Sequence, residues 1–211
     1  METDLIFRKG KFTASECYKL MGERGGITTQ TAQTYILEKA AETLYDKEWI
    51  DTSSDSVATR WGKELEPDAS MYYELAYKVT VEKPNPQCAE WSDEVSGSPD
   101  GLVYPDGNKV YGIEIKSPYN PTNHLSYMLM RSAADLKKTK KEYYWQVLCY
   151  MLIFGLDYYE FVSYDPRYSG ANRMFVLPIK RKDVSDDIDK LKEALLQAVE
   201  EKHKILKMIN N

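Results

Sequence analysis

Ser98-Pro99-Asp100-Gly101-Leu102 is followed, after a turn, by Gly112-Ile113-Glu114-Ile115-Lys116-Ser117-Pro118. In a strand, residues two apart point to the same face. Read as a strand over 109–116, the second segment projects Glu114 and Lys116 together and sends Ile113 and Ile115 into a core. Pro105-Asp106-Gly107-Asn108 supplies turn chemistry between the segments. Residues 98–104 then form the other arm of a hairpin, and Asp100 meets Glu114 at one end of it.

Two carboxylates and a lysine at one point suit phosphodiester hydrolysis. Hard oxygen ligands hold Mg²⁺, or Mn²⁺, as one ion or two. Such an ion polarises the phosphate and activates a water. The lysine orients that water or offsets charge growing on phosphorus. Each piece alone has a plainer meaning. Glu-x-Lys is most often a solvated strand face with a cross-strand ion pair, and Pro-Asp-Gly is most often a turn. Their combination, with Asp100 and Glu114 separated by 14 positions and a turn, is more specific.

Outward from this hairpin the chain reads as helices, strands, helix, strands, helix. Thr13 or Ser15 caps a short helix ending near Met21, and Thr28 or Thr29 caps another reaching Leu44. A third starts at 53–55 and runs through Trp61, Leu65, Met71 and Leu75, with a kink or new start at Pro67. Residues 78–81 and 88–92 read as extended. Helices follow over 121–135 and 140–155, strands over 157–164 and 174–179, and a long amphipathic helix over 184–209. This order predicts one α/β (α+β) domain over residues 1–211, with a central mixed sheet flanked by helices.

Composition sets outer bounds. The 211 residues carry 28 Lys and Arg against 33 Asp and Glu, a net charge of −5, which is not the basic footprint usual for nucleic-acid binding. An acidic exterior is nonetheless compatible with a basic channel. Cys17, Cys88 and Cys149 are too few and too scattered for a disulfide framework, a zinc site or a four-thiolate iron-sulfur cluster, so a reducing cytoplasmic setting is expected. The N-terminus has no apolar signal segment, and the longest apolar stretch is too short for a bilayer.

The Ser-Pro-Asp-Gly and Glu-Ile-Lys-Ser-Pro segments resemble the PD-(D/E)XK nucleases, with their restriction-endonuclease-like fold. Within them the chain is similar to the lambda-type phage exonucleases, the YqaJ-like viral recombinases. Four further segments match in order. They are Arg8-Lys9-Gly10-Lys11-Phe12-Thr13-Ala14-Ser15-Glu16, Trp61-Gly62-Lys63-Glu64-Leu65-Glu66, Gln146 with Tyr150, and Tyr164-Asp165-Pro166-Arg167.

By position, the resemblance implies that Asp100, Glu114, the Ile115 carbonyl and Glu66 ligate metal. It makes Lys116 the catalytic lysine and Gln146 a supporting residue. Arg8, Ser15 and Ser98 would bind a 5′-terminal phosphate. It further implies a Mg²⁺-dependent 5′-to-3′ exonuclease acting on double-stranded DNA ends. Such an enzyme releases 5′ mononucleotides and leaves a 3′ single-stranded tail. A homotrimeric ring and a single-strand annealing recombinase as partner also follow, in the cytoplasm of a phage or prophage host, with no membrane association. Only seven residues precede Arg8, so contacts from a longer upstream arm are not expected. The alternatives are an endonuclease of the same fold, restriction or resolvase-like, and a DNA-binding protein without catalysis. His124 reads as a loop residue near the cleft, with no catalytic assignment. The lysines at 137, 138, 140 and 141 read either as a solvated helix end or as a phosphate-tracking patch.

Overall fold

The computed structural model describes residues 7–22, 26–45, 56–105 and 110–210. Among these residues, eight strands make two sheets. The larger has the order β2 (Val81–Glu82), β5 (Gly101–Val103), β6 (Tyr111–Lys116), β7 (Tyr158–Tyr164), β8 (Met174–Lys180). The hairpin is present: β5 and β6 are antiparallel, with Gly101 opposite Ile113. Strand β7 runs parallel to β6 and β8 antiparallel to β7, so the sheet is mixed. The smaller sheet places β4 (Ser92–Gly97) between β1 (Phe12–Thr13) and β3 (Gln87–Ala89).

Helices cover both faces of the larger sheet. Helix α1 (Gln30–Leu44) is capped by Thr29, whose side chain accepts from the Ala32 N–H. Helix α2 (Val57–Tyr77) is capped by Ser56, and its Ala69 and Tyr73 pack on Ile113, Ile115 and Val162. Between β6 and β7 the chain forms α3 (Pro121–Met128), α4 (Ala133–Thr139) and α5 (Lys141–Ile153). Helix α5 and the long α6 (Ser185–Ile209) bury the opposite face, around Tyr159, Phe161, Leu177 and Ile179. Among the described residues no helix is long and apolar enough to cross a membrane.

Several elements depart from expectation. Thr13 lies in β1, opposite Ser96, and the short helix after it is a 3-10 helix over Cys17–Leu20, preceded by Glu16 and capped by neither Thr13 nor Ser15. Pro67 lies inside α2, which runs through it without a new start. Pro67 is exposed, so its ring meets solvent rather than the core. Met71 and Leu75 on the same helix are exposed rather than buried. Positions 53–55, expected to start this helix, 106–108 of the expected turn and 109, the first position of the expected strand, lie outside the described residues. The helix expected over 121–135 is two, because Ser132 and Asp135 form a capping box that opens α4. The strand expected at 78–81 is displaced, since Lys78 ends α2 with φ 55° and β2 begins at Val81.

Candidate active site

Strand β6 carries Glu114 and Lys116 side by side on the face covered by α5. The Lys116 ammonium donates to Glu114 Oε1 and lies 5.0 Å from the centroid of the Tyr143 ring. Because both faces of the sheet are covered, Glu114 is 1% exposed, and its Oε2 is buried with no hydrogen-bond partner among the described residues. Asp100 sits at the bend opening β5, where its Oδ2 accepts from the Ile115 N–H at 2.7 Å. Backbone pairing in the hairpin thus brings the two carboxylates together.

Their environment opposes ionisation. Burial, then the neighbouring charge of Asp100, pushes the Glu114 carboxyl up to about 8. Asp100 is also raised, chiefly by burial and by the Glu66 charge, although Lys116 opposes this. Burial alone would lower Lys116, but Glu114 and Asp100 outweigh it and hold the ammonium above the usual lysine range.

Glu66 arrives from α2 and accepts from the Lys83 ammonium at 2.6 Å through Oε1. Gln146 arrives from α5 and donates to the Tyr150 hydroxyl at 3.1 Å, which in turn donates to the Ser98 carbonyl at 3.1 Å. Gly97 permits this approach, since a Cβ there would lie 2.8 Å from the Tyr150 ring. Arg8 donates to the Ser15 hydroxyl at 2.8 Å. The chain next to Arg8 is fixed at Gly10, which has φ +72°. Its N–H donates to buried Glu42, and its carbonyl accepts from buried Lys202 at 2.6 Å.

One cavity of about 410 Å³ is lined by both sets, Arg8, Ser15 and Ser98 with Asp100, Glu114, Lys116 and Gln146. A second, of about 530 Å³, opens on Glu66, Asp100, Ile115 and Lys116. Lys63 lines both. All nine residues expected at the site therefore line this double cleft.

No three Asp, Glu, His or Cys groups among the described residues converge into a ready-made metal cage. Each carboxylate is instead engaged by a positive or N–H group: Glu114 by Lys116, Asp100 by Ile115 and Glu66 by Lys83. The donor set still fits a hard divalent cation. It consists of oxygens, it includes the unpartnered Oε2 of Glu114, and its two raised carboxyls gain most from a positive charge between them.

Residues 5–157 match the YqaJ-like viral recombinase domain. The chain belongs to the YqaJ-like viral recombinase family. Its architecture is the PD-(D/E)XK fold, similar to an alkaline exonuclease (LHK-Exo) from Laribacter hongkongensis. That likeness has a TM-score of 0.80 and 26% identity over 100% of this chain and 96% of that one. A structure of LHK-Exo in complex with dAMP matches at a TM-score of 0.76 and 25% identity, over 100% and 98%. A phage-related exonuclease from Haemophilus somnus 129PT shares the fold at a TM-score of 0.70 and 20% identity, over 94% and 96%. No curated protein sequence matches closely enough to count as a relative.

The remaining motifs of this YqaJ-like chain are largely structural. Arg167 of the Tyr-Asp-Pro-Arg segment grips buried Asp165 at 2.8 Å and donates to the carbonyls of Pro118 and Tyr119 at 3.0 Å. It also lies 4.9 Å from the Trp61 ring centroid, and Trp61 meets Tyr119 edge-on. The segment thus clamps the cleft wall just after Lys116, a role that spacing alone did not disclose. His124 is not a loop or surface residue. It is fully buried on α3, paired with Ser163 Oγ at 2.7 Å and the Asn172 carbonyl at 2.8 Å. The lysine cluster lies outside the cleft. Lys137 pairs with Asp187 at 2.6 Å beside a separate groove that shares no lining residue with either active-site cavity. Lys83 was not singled out from the sequence, because its partner lies 17 positions away across a loop.

Proposed function

We propose that this protein is a divalent-metal-dependent exonuclease that degrades one strand of linear duplex DNA from the 5′ end. It would release 5′ mononucleotides and leave a 3′ tail for recombination. The observation that carries the reading is the shared cavity, in which an Arg–Ser set suited to a terminal phosphate adjoins two carboxylates and a lysine. An endonuclease has no need of a terminal-phosphate pocket. The relative from Laribacter hongkongensis, described as an alkaline exonuclease, supports the same activity.

Mg²⁺, or Mn²⁺ in its place, as one ion or two, would be held by Asp100, Glu114, the Ile115 carbonyl and Glu66, and would supply charge neutralisation and an activated water. The chain's own groups do the rest. Arg8 presents a fork that can bind two phosphate oxygens, with Ser15 and Ser98 beside it. Lys116 stays protonated, so it serves as an electrostatic stabiliser and water-orienting group rather than a base. Gln146 and Tyr150 hold the Ser98 backbone in place. Glu114 must lose its proton before it can bind a cation, so activity should favour alkaline pH.

The wider setting follows from the family. A homotrimeric ring would let basic residues line a DNA channel despite the acidic net charge. The natural partner is a single-strand annealing protein that takes up the tail. The free thiols of Cys17, Cys88 and Cys149 suit a reducing cytoplasm, and the whole chain would act as one nuclease domain. The deciding experiment is digestion of linear duplex and closed circular DNA with Mg²⁺ and with a chelator. Metal-dependent loss of the linear DNA alone is the expected result, and rapid cutting of circles would move the reading to an endonuclease. Light scattering reporting a monomer across micromolar concentrations would remove the ring.

A further inference from the structure

Lys83 follows β2 at the rim of the cavity that holds the phosphate set. Its side chain is 66% exposed, yet its ammonium reaches Glu66 Oε1 at 2.6 Å. Its charge also acts on Asp100, favouring the ionised carboxyl there. One ammonium thus serves two of the three expected metal-binding carboxylates, and it lines the same cavity as Arg8, Ser15 and Ser98. An ion pair this exposed contributes little to folding, so its placement asks for another explanation.

The chemistry of the neighbours supplies one. An ammonium on a flexible stem is a compact, strongly hydrated charge that exchanges partners readily. A divalent cation binding the same carboxylate repels it and attracts the carboxylate more strongly. Once displaced, the ammonium stays tethered at the cavity rim, within the space a terminal phosphate would fill. We propose that Lys83 is a phosphate-binding residue held in reserve: it occupies Glu66 until the cation arrives, and cation loading transfers it to the 5′ phosphate of the DNA. The inference rests on the metal-dependent exonuclease reading and adds to it a coupling between ion and substrate.

The test uses the whole chain with Lys83→Met, Lys83→Arg and, as a site control, Asp100→Asn. Calorimetric Mg²⁺ titration without DNA should show Lys83→Met binding the ion about threefold to tenfold more tightly than the parent, as a rim competitor is removed. Lys83→Arg should stay near the parent. Fluorescence anisotropy with a short 5′-phosphorylated duplex, with Ca²⁺ replacing Mg²⁺, should show the reverse order. Lys83→Met should bind about threefold to tenfold more weakly, and the deficit should shrink on a 5′-hydroxyl duplex. Unchanged or weaker Mg²⁺ binding by Lys83→Met overturns the reserve role. An equal deficit on both DNA ends, or none, overturns the phosphate role. A parent that binds no Mg²⁺, or an Asp100→Asn variant that binds it equally well, removes the metal-site reading itself and this inference with it.

Discussion

Two buried glutamates stand on neighbouring strands and behave as opposites. Glu160 on β7 is 9% exposed and faces α2, where Tyr73 and Tyr158 each donate a hydroxyl to it at 2.6 Å, with Tyr111 joined to Tyr73 at 2.9 Å. Both of its oxygens are satisfied. Glu114 on β6 faces α5, is 1% exposed, shares one oxygen with Lys116 and leaves the other without a partner among the described residues. Burial is therefore no mark of a site in this sheet. What distinguishes Glu114 is unmet demand: an orphaned oxygen and a crowded negative charge, which an added cation relieves.

Substitution should separate the pair most sharply. Asp100→Ala and Glu114→Ala should each reduce metal-dependent cleavage to background while the protein stays folded, because each removes a carboxylate on which cation binding depends. Glu160→Ala should leave the cleavage rate of the folded fraction near the parent. It removes the Tyr158 partner and leaves the Tyr73 hydroxyl only Tyr111, at a cost of about 1–3 kcal/mol, and should lower the melting midpoint by about 2–10 °C. Digestion of linear duplex, paired with thermal unfolding, checks both halves. Parent-like cleavage by either carboxylate variant would remove the distinction.

Lys116 sits between the two conditions, since it is paired but only partly covered. Lys116→Ala should slow single-turnover cleavage by about 10²-fold or more, as expected for loss of an electrostatic stabiliser. Calorimetric metal affinity, measured well above the Glu114 titration, should change little, because an ammonium is not a cation ligand. A collapse of metal binding alongside activity would contradict this role.

Unmet demand also has a pH signature. The folded-state pKa of Glu114 is raised from 4.5 to about 8. Between those values the folded protein holds a proton that the unfolded chain has released, so metal-free stability should fall as pH rises through this window. Glu114→Gln should flatten the slope. Over the same range Mg²⁺ affinity should strengthen with pH, by up to about tenfold per unit, because the ion must displace that proton. Melting curves in chelator and calorimetry across pH 5–9 (about the window concerned) read both effects. A flat parent profile in both would remove the raised carboxyl from the account.

What was legible in the sequence followed the same division. Local patterns disclosed the hairpin, because alternation in 109–116 and the turn residues act within a few positions. Thr29 and the apolar stripe of α1 were readable for the same reason. The burial of Glu114 was not, since it depends on α5 closing over a face that alternation presents as half-solvated. Strand β4 escaped because Ser92-Asp93-Glu94-Val95-Ser96-Gly97 is polar, and its strand state comes from pairing with β1 and β3. His124, read as a loop residue near the cleft, did not disclose its burial because its partners, Ser163 and Asn172, lie 39 and 48 positions away. The candidate site residues were reached through ordered motifs, which place them in one cleft without disclosing who pairs with whom.

Two arginines divide in the same way as the two glutamates. Arg167 is saturated by Asp165 and two carbonyls and lies against Trp61. Arg8 is exposed and, among the described residues, its guanidinium hydrogen-bonds to Ser15 alone, which leaves most of its five N–H donors to face the cavity. A terminal phosphate carries more negative charge than an internal one and matches that fork. Cleavage should therefore begin faster on 5′-phosphorylated than on 5′-hydroxyl duplexes, and Arg8→Ala should erase most of that preference, an effect of about tenfold. Arg167→Ala should instead loosen the wall at Pro118 and Tyr119, lowering the melting midpoint while the end preference survives. Paired digestion of two duplexes differing only in the 5′ phosphate measures both variants against the parent. Equal parent rates on the two ends would show that the unsatisfied donors of Arg8 do not read the phosphate. Loss of the preference in Arg167→Ala as well would show that the pocket depends on the clamp, and that saturation does not separate a structural arginine from a binding one.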